Sequence, residues 1–100
     1  MEKTIMENEL KAIVDGYFLR PYEVKVRLKR LVEIHSTYRG IPFVIVFHLN
    51  VKNHRAECAE CDVLCQLRPD LQNDIYTRYY FDCDLIDEVI NYMIQAYNQK

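Results

Sequence analysis

The chain has 100 residues, half of them hydrophobic and 28% charged, with a formal charge of -2 and only two glycines and three prolines. This profile predicts one small soluble globular domain over residues 1–100 and excludes a second domain, a low-complexity linker, a generic nucleic-acid coat and a strongly acidic DNA mimic. The charge is uneven: residues 1–50 carry eight Lys/Arg and six Asp/Glu (+2), whereas residues 51–100 carry five and nine (-4). Chance alone produces such a division, but a mild dipole can also orient a partner.

At the N-terminus, "MEKTIMENELKAIVDG" interleaves acidic with apolar residues and lacks the basic, apolar and small-residue regions of a secretory signal. The longest apolar run, "FVIVF", is too short to cross a bilayer. A cytoplasmic protein with reduced thiols is therefore expected, with no membrane partner. Asn8 to Val14 predicts a short amphipathic helix with Ile5, Met6, Leu10, Ile13 and Val14 on one side and Gly16 as its stop. From Tyr22 to Tyr38 both templates fit, but alternation fits better. Tyr22, Val24, Val26, Leu28, Val32, Ile34 and Tyr38 share one face, interrupted by Arg30 and Ser36. One strand is expected there, with a helix ending at Gly40 as the alternative.

"IPFVIVFHLNVK" reads as the most secure strand, with Phe43, Ile45, Phe47, Leu49 and Val51 on one face. Val44 and Val46 make its first half apolar on both sides, so that half is expected to be central. "STYRG" would close an antiparallel hairpin with the preceding strand. The segment "HRAECAECDVLCQL" then reads as a helix ended by Pro69, and "DIYTRYYFD" as a third strand with Ile75, Thr77, Tyr79 and Phe81 facing one way. Leu85, Val89, Tyr92, Met93 and Ala96 give a final helix its buried side, with Asp84 to cap it and Asp87 and Glu88 near its positive end. The predicted class is α+β in the order α-β-β-α-β-α, an antiparallel hairpin plus a third strand packed with helices.

The cysteine segment raises three chemistries. A structural zinc wants four ligands in a tetrahedron. On a helix, His54, Cys58, Cys61 and Cys65 would fall in one stripe, but eleven helical residues span roughly 16 Å, too far for one ion. A zinc domain would therefore combine Cys58 and Cys61 with Cys83 or a histidine such as His54. A redox site of the thioredoxin kind needs a lowered thiol pKa, and Glu57 and Glu60 push the other way. The third reading is packing, since reduced cysteine behaves as a small hydrophobe. Ala56, Ala59, Val63 and Leu67 then form a second apolar stripe, so a helix here has two faces to cover, one of them against another helix or a subunit.

Lys25, Arg27, Lys29, Arg30 and Arg39 near Tyr22 and Tyr38 are the residue types that grip phosphates and stack on bases, though Glu23 and Glu33 dilute them and a solvated strand face explains them as well. On a strand, Tyr76, Arg78, Tyr80 and Asp82 would share one face and form a protein-contact patch. No phosphate loop, nucleophile elbow or metalloprotease motif occurs. Asp74, Asp82 and Asp84, or Cys58 beside His54 or His48, are weak catalytic groupings. The expected function is a small binding module acting by protein contact, with another protein or as a homodimer. Its size suits a regulator or inhibitor of the kind a bacterium or mobile element carries. A zinc domain and a nucleic-acid binder are the alternatives.

Overall fold

Two tight turns organise the sheet. Arg39 and Gly40 take left-handed backbone (φ 53° and 80°), and so do Asn53 and His54 (φ 54° and 62°). Two-residue loops with both residues at positive φ have the twist that paired antiparallel strands require. They join β2 (Leu31–Tyr38) to β3 (Ile41–Lys52) and β3 to β4 (Arg55–Leu64). A shorter strand, β1 (Glu23–Arg27), pairs with the free side of β2 and completes a four-stranded antiparallel sheet in the order β1-β2-β3-β4. The computed structural model describes residues 2–17, 23–27 and 30–99. Before the sheet comes α1 (Glu2–Asp15), and after it a 3-10 turn (Pro69–Leu71), then α2 (Gln72–Thr77), which runs on as a π-helix over Arg78–Asp82, and finally α3 (Leu85–Asn98).

The expected α+β class and the hairpin between residues 31 and 52 are present, but the element order is α-β-β-β-β-α-α. Three segments differ from the sequence reading. The single strand expected over 22–38 is two strands, and Arg30, which interrupted its apolar face, sits in the bend between them, with its N–H bonded to the Arg27 carbonyl at 3.1 Å. Tyr22, Leu28 and Lys29 lie outside the described residues.

The expected cysteine helix is strand β4. Ala59, Cys61, Val63 and Cys65 alternate inward between Glu60, Asp62 and Leu64, so the period is two. The expected third strand is helical: Ile75 and Tyr79, four apart, are the buried residues, and Pro69 opens the helical run at its first position. A four-stranded sheet whose inner face still lacks cover gains more from a helix there than from a fifth strand.

All three helices pack on one face of the sheet. Met6, Leu10 and Val14 of α1 and Leu85, Ile86, Val89 and Met93 of α3 join Val26, Ile34, Ile45 and Phe47 in one core. Tyr79 stacks on Phe43 with ring centroids 6.1 Å apart, closing the core beside the β2–β3 turn. Asp84 occupies the N-cap position of α3, but in left-handed backbone (φ 56°) and without a side-chain bond; its carbonyl accepts from the Glu88 N–H at 3.1 Å. Asp87 and Glu88 do lie in the first turn, where the helix dipole favours them.

Side chains close parts of both sheet edges. The Glu7 carboxylate accepts the Val26 N–H on β1 at 3.0 Å. On β4, Asn98 bonds both the N–H and the carbonyl of Ala56, and the Gln72 amide oxygen accepts from Cys65 N–H at 3.0 Å just beyond the strand. These contacts blunt the template that an edge strand offers to other chains.

Candidate functional site

The face of the sheet turned away from the helices is the surface the fold leaves open among the described residues. Strand alternation places there the odd residues of β1 and β2 and the even residues of β3 and β4 as far as the bulge at Asn50/Val51. Register sets them in cross-strand rows. Arg27, Leu31, His48 and Glu60 lie side by side, as do Lys25, Glu33, Val46 and Asp62. A third row joins Glu23, His35, Val44 and Leu64.

Three properties follow. Leu31, Val44, Val46 and Leu64 make an apolar band that is not part of the helix-covered core, and Leu64 is 48% exposed. The apolar character of β3 on both faces predicted cover on both; the described helices cover only one. Charge is divided across the sheet, with Lys25 and Arg27 beside Glu23 on edge strand β1 and Glu60 and Asp62 on edge strand β4. At one end, a hollow of about 390 Å³ opens between His35, Pro42, Val44, Leu64 and Leu67, and Leu67 is 70% exposed.

Glu33 anchors the face electrostatically. It accepts from His35 Nε2 at 3.0 Å and lies 3.5 Å from the Arg27 guanidinium. The His35 hydrogen bond, helped by the positive charge of Arg27, holds its carboxyl below the usual range against the opposing effect of burial. Lys25 pairs with Glu23 at 3.1 Å on the same strand.

Compared with models of protein families, with curated proteins and with solved structures, the chain gives no match.

The zinc set is not assembled. Cys58 points outward beside Asn50, whose Nδ2 donates to Sγ at 3.3 Å, whereas Cys61 points inward into the core. Residues three apart on a strand project from opposite faces, so the pair that helical spacing would have joined is split by the sheet. His54 is in the β3–β4 turn and Cys83 follows the π-helix. Among the described residues no three His, Cys, Asp or Glu side chains gather as a metal would need. Burial, and then the nearby Asp62 charge, pushes the Cys61 thiol up to about 12, opposite to what a redox nucleophile requires.

The proposed contact patch on residues 76–82 is divided. Tyr76 and Tyr80 stack at 5.4 Å and are half-buried against the core, while Arg78 and Asp82 form an exposed pair at 3.6 Å on the other side of the helix. Helical spacing separates what strand alternation would have aligned. Phe81, absent from that set, meets Tyr80 edge-to-face at 4.7 Å and is 67% exposed. Its signal was the aromatic run itself; only the helical turn shows that Phe81 faces out.

The basic set is also dispersed. Lys25 and Arg27 are on β1, Arg30 stands 6.0 Å from the Tyr97 ring centre, and Arg39 caps Tyr38 at the opposite end of β2. Lys29 lies outside the described residues. No helix among the described residues is long and apolar enough to cross a membrane.

Proposed function

We propose that this protein is a small binding module that works by protein–protein contact through the open face of its sheet. One observation carries the reading: an apolar band on β2, β3 and β4 lies on the face that no described helix covers. Exposed contiguous apolar surface rimmed by charge is the usual mark of a contact site. The partner is occupied rather than chemically altered, as by a regulator or an inhibitor. Unpaired cysteines, one of them exposed at Cys58, suit a reducing compartment such as the cytoplasm.

The test is affinity capture from an extract of source cells, with the wild type and with Val46→Lys/Leu64→Lys as baits. Both positions point outward, and a lysine at 46 falls between Glu33 and Asp62, so the fold is expected to survive. Loss of the captured protein with an unchanged melting temperature is the expected result. Equal capture by both baits contradicts the reading. Tyr80 and Phe81 offer a second contact surface of the same kind, favoured by the exposure of Phe81; Tyr80→Ala/Phe81→Ala in the same assay separates the two surfaces.

A further inference from the structure

We infer that the occupant of the open face is a second copy of this chain, stacked sheet on sheet about a two-fold axis parallel to the strands. This rests on the preceding proposal that the face is a protein contact. The basis is the order of charges across the sheet. On the open face Lys25 and Arg27 stand on edge strand β1 beside Glu23, Glu60 and Asp62 stand on edge strand β4, and the apolar band crosses β2 and β3 to Leu64 on β4. Such a pattern is complementary to its own image turned by 180° about an axis along the strands.

That operation lays β1 of each copy over β4 of the other. Arg27 then faces Glu60 and Lys25 faces Asp62, and symmetry repeats both contacts. An axis across the strands through the Lys25–Asp62 row would instead set Lys25 over Lys25 and Asp62 over Asp62, opposing like charges at both edges, with only Arg27 over Glu23 to offset them. Glu33 enters such a contact already bonded to His35 and Arg27 of its own copy, so its charge is not left alone. Aligned packing of this sort places two sheets roughly 10 Å apart with their strands within about 30°.

Size fits a reversible dimer. Four strands about 4.8 Å apart and some eight residues long present roughly 500 Å² per copy. About 1,000 Å² in total is at the lower limit for a specific interface, so association is expected to depend on concentration.

Sedimentation velocity over a concentration series tests this with two charge-reversed variants, Lys25→Glu/Arg27→Glu and Glu60→Lys/Asp62→Lys. Each variant alone opposes like charges at both edges, and each is expected to weaken the dimer roughly 30-fold or more. Mixed in equal amounts, the two restore both contacts, and dimer returns as a heterodimer. Circular dichroism melting confirms that each variant is folded. A wild type that stays monomeric at every concentration overturns the inference; capture lost in Val46→Lys/Leu64→Lys would still uphold the protein-binding reading. A dimer indifferent to the charge reversals, or a mixture that stays monomeric, also overturns it.

Discussion

Asn98 grips Ala56 twice: its Oδ1 accepts the Ala56 N–H at 2.9 Å, and its Nδ2 donates to the Ala56 carbonyl at 3.0 Å. A side-chain amide at the end of the last helix thus takes the place of a neighbouring strand at the start of β4. Removing it leaves two backbone groups of the 2%-exposed Ala56 without their partners. Asn98→Ala is expected to lower stability by roughly 2 kcal/mol. Asn98→Asp keeps an acceptor but turns a carboxylate toward the Ala56 carbonyl, so it should not rescue. Urea unfolding measures both, and amide exchange should show loss of protection at Ala56.

The β3–β4 turn holds a correctable strain. His54 adopts φ 62°, left-handed backbone that costs most residues with a Cβ, whereas Asn53 before it is a residue type that visits this region routinely. His54→Gly is expected to raise stability by about 0.5–1 kcal/mol. The converse change, Gly40→Ala in the β2–β3 turn, meets no atom within 4 Å but keeps φ at 80°, so it should lower stability by about 1 kcal/mol through the backbone alone. Thermal melting of the two variants checks both signs.

Thiol chemistry should report the faces of β4 directly. Cys58 is exposed, Cys61 is largely buried with its thiol pushed up to about 12, and Cys65 is fully buried with its Sγ 3.6 Å from the Pro42 carbonyl. Iodoacetamide at pH 8 is expected to modify Cys58 in the native protein while sparing Cys61 and Cys65 until denaturant is added. Peptide mass spectrometry gives the order. Equal native reactivity of Cys58 and Cys61 would mean that they do not lie on opposite faces of a strand.

The Glu33 contacts predict an acid-sensitive contribution to stability. Its folded-state pKa lies below the ordinary value of 4.5, with the His35 hydrogen bond as the largest cause. The ionised group therefore favours the folded chain above pH 4.5, and that contribution is lost as pH falls through the lowered folded-state value. Glu33→Gln should be less stable than the wild type at neutral pH, and the gap should narrow toward pH 3. Denaturant titrations at several pH values measure that gap.

Much of this architecture can be read from residue patterns, and the failures have physical causes. Met6, Leu10 and Val14 marked α1, and Leu85, Val89 and Met93 marked α3, because four-residue spacing has one meaning on a helix. Alternation with β-branched residues likewise located β2 and β3. In the cysteine segment two periods coexist. Cys58, Cys61 and Cys65 repeat at helical spacing, while Ala59, Cys61, Val63 and Cys65 repeat every second residue. What decides between them is the turn before it, and Asn53-His54 lacks the glycine that usually announces a two-residue hairpin. Around Tyr76–Phe81 the aromatic content favours a strand, yet strand propensity mostly expresses fit to a half-buried surface. Ile75 and Tyr79 find that burial from a helix instead. The open face is not legible in the sequence, because its acidic edge, Glu60 and Asp62, belongs to the strand whose cysteine spacing mimics a helix.

If the outer sheet face meets a second copy of the chain, its side chains must sense protein concentration. Methyl NMR of valine-labelled protein across a concentration series tests it most directly. Val44 and Val46 point outward, whereas Val32 and Val63 point into the core. The Val44 and Val46 methyl signals are expected to shift with concentration while those of Val32 and Val63 stay nearly fixed. Signals from Val44 and Val46 that do not move from dilute to concentrated protein would contradict it.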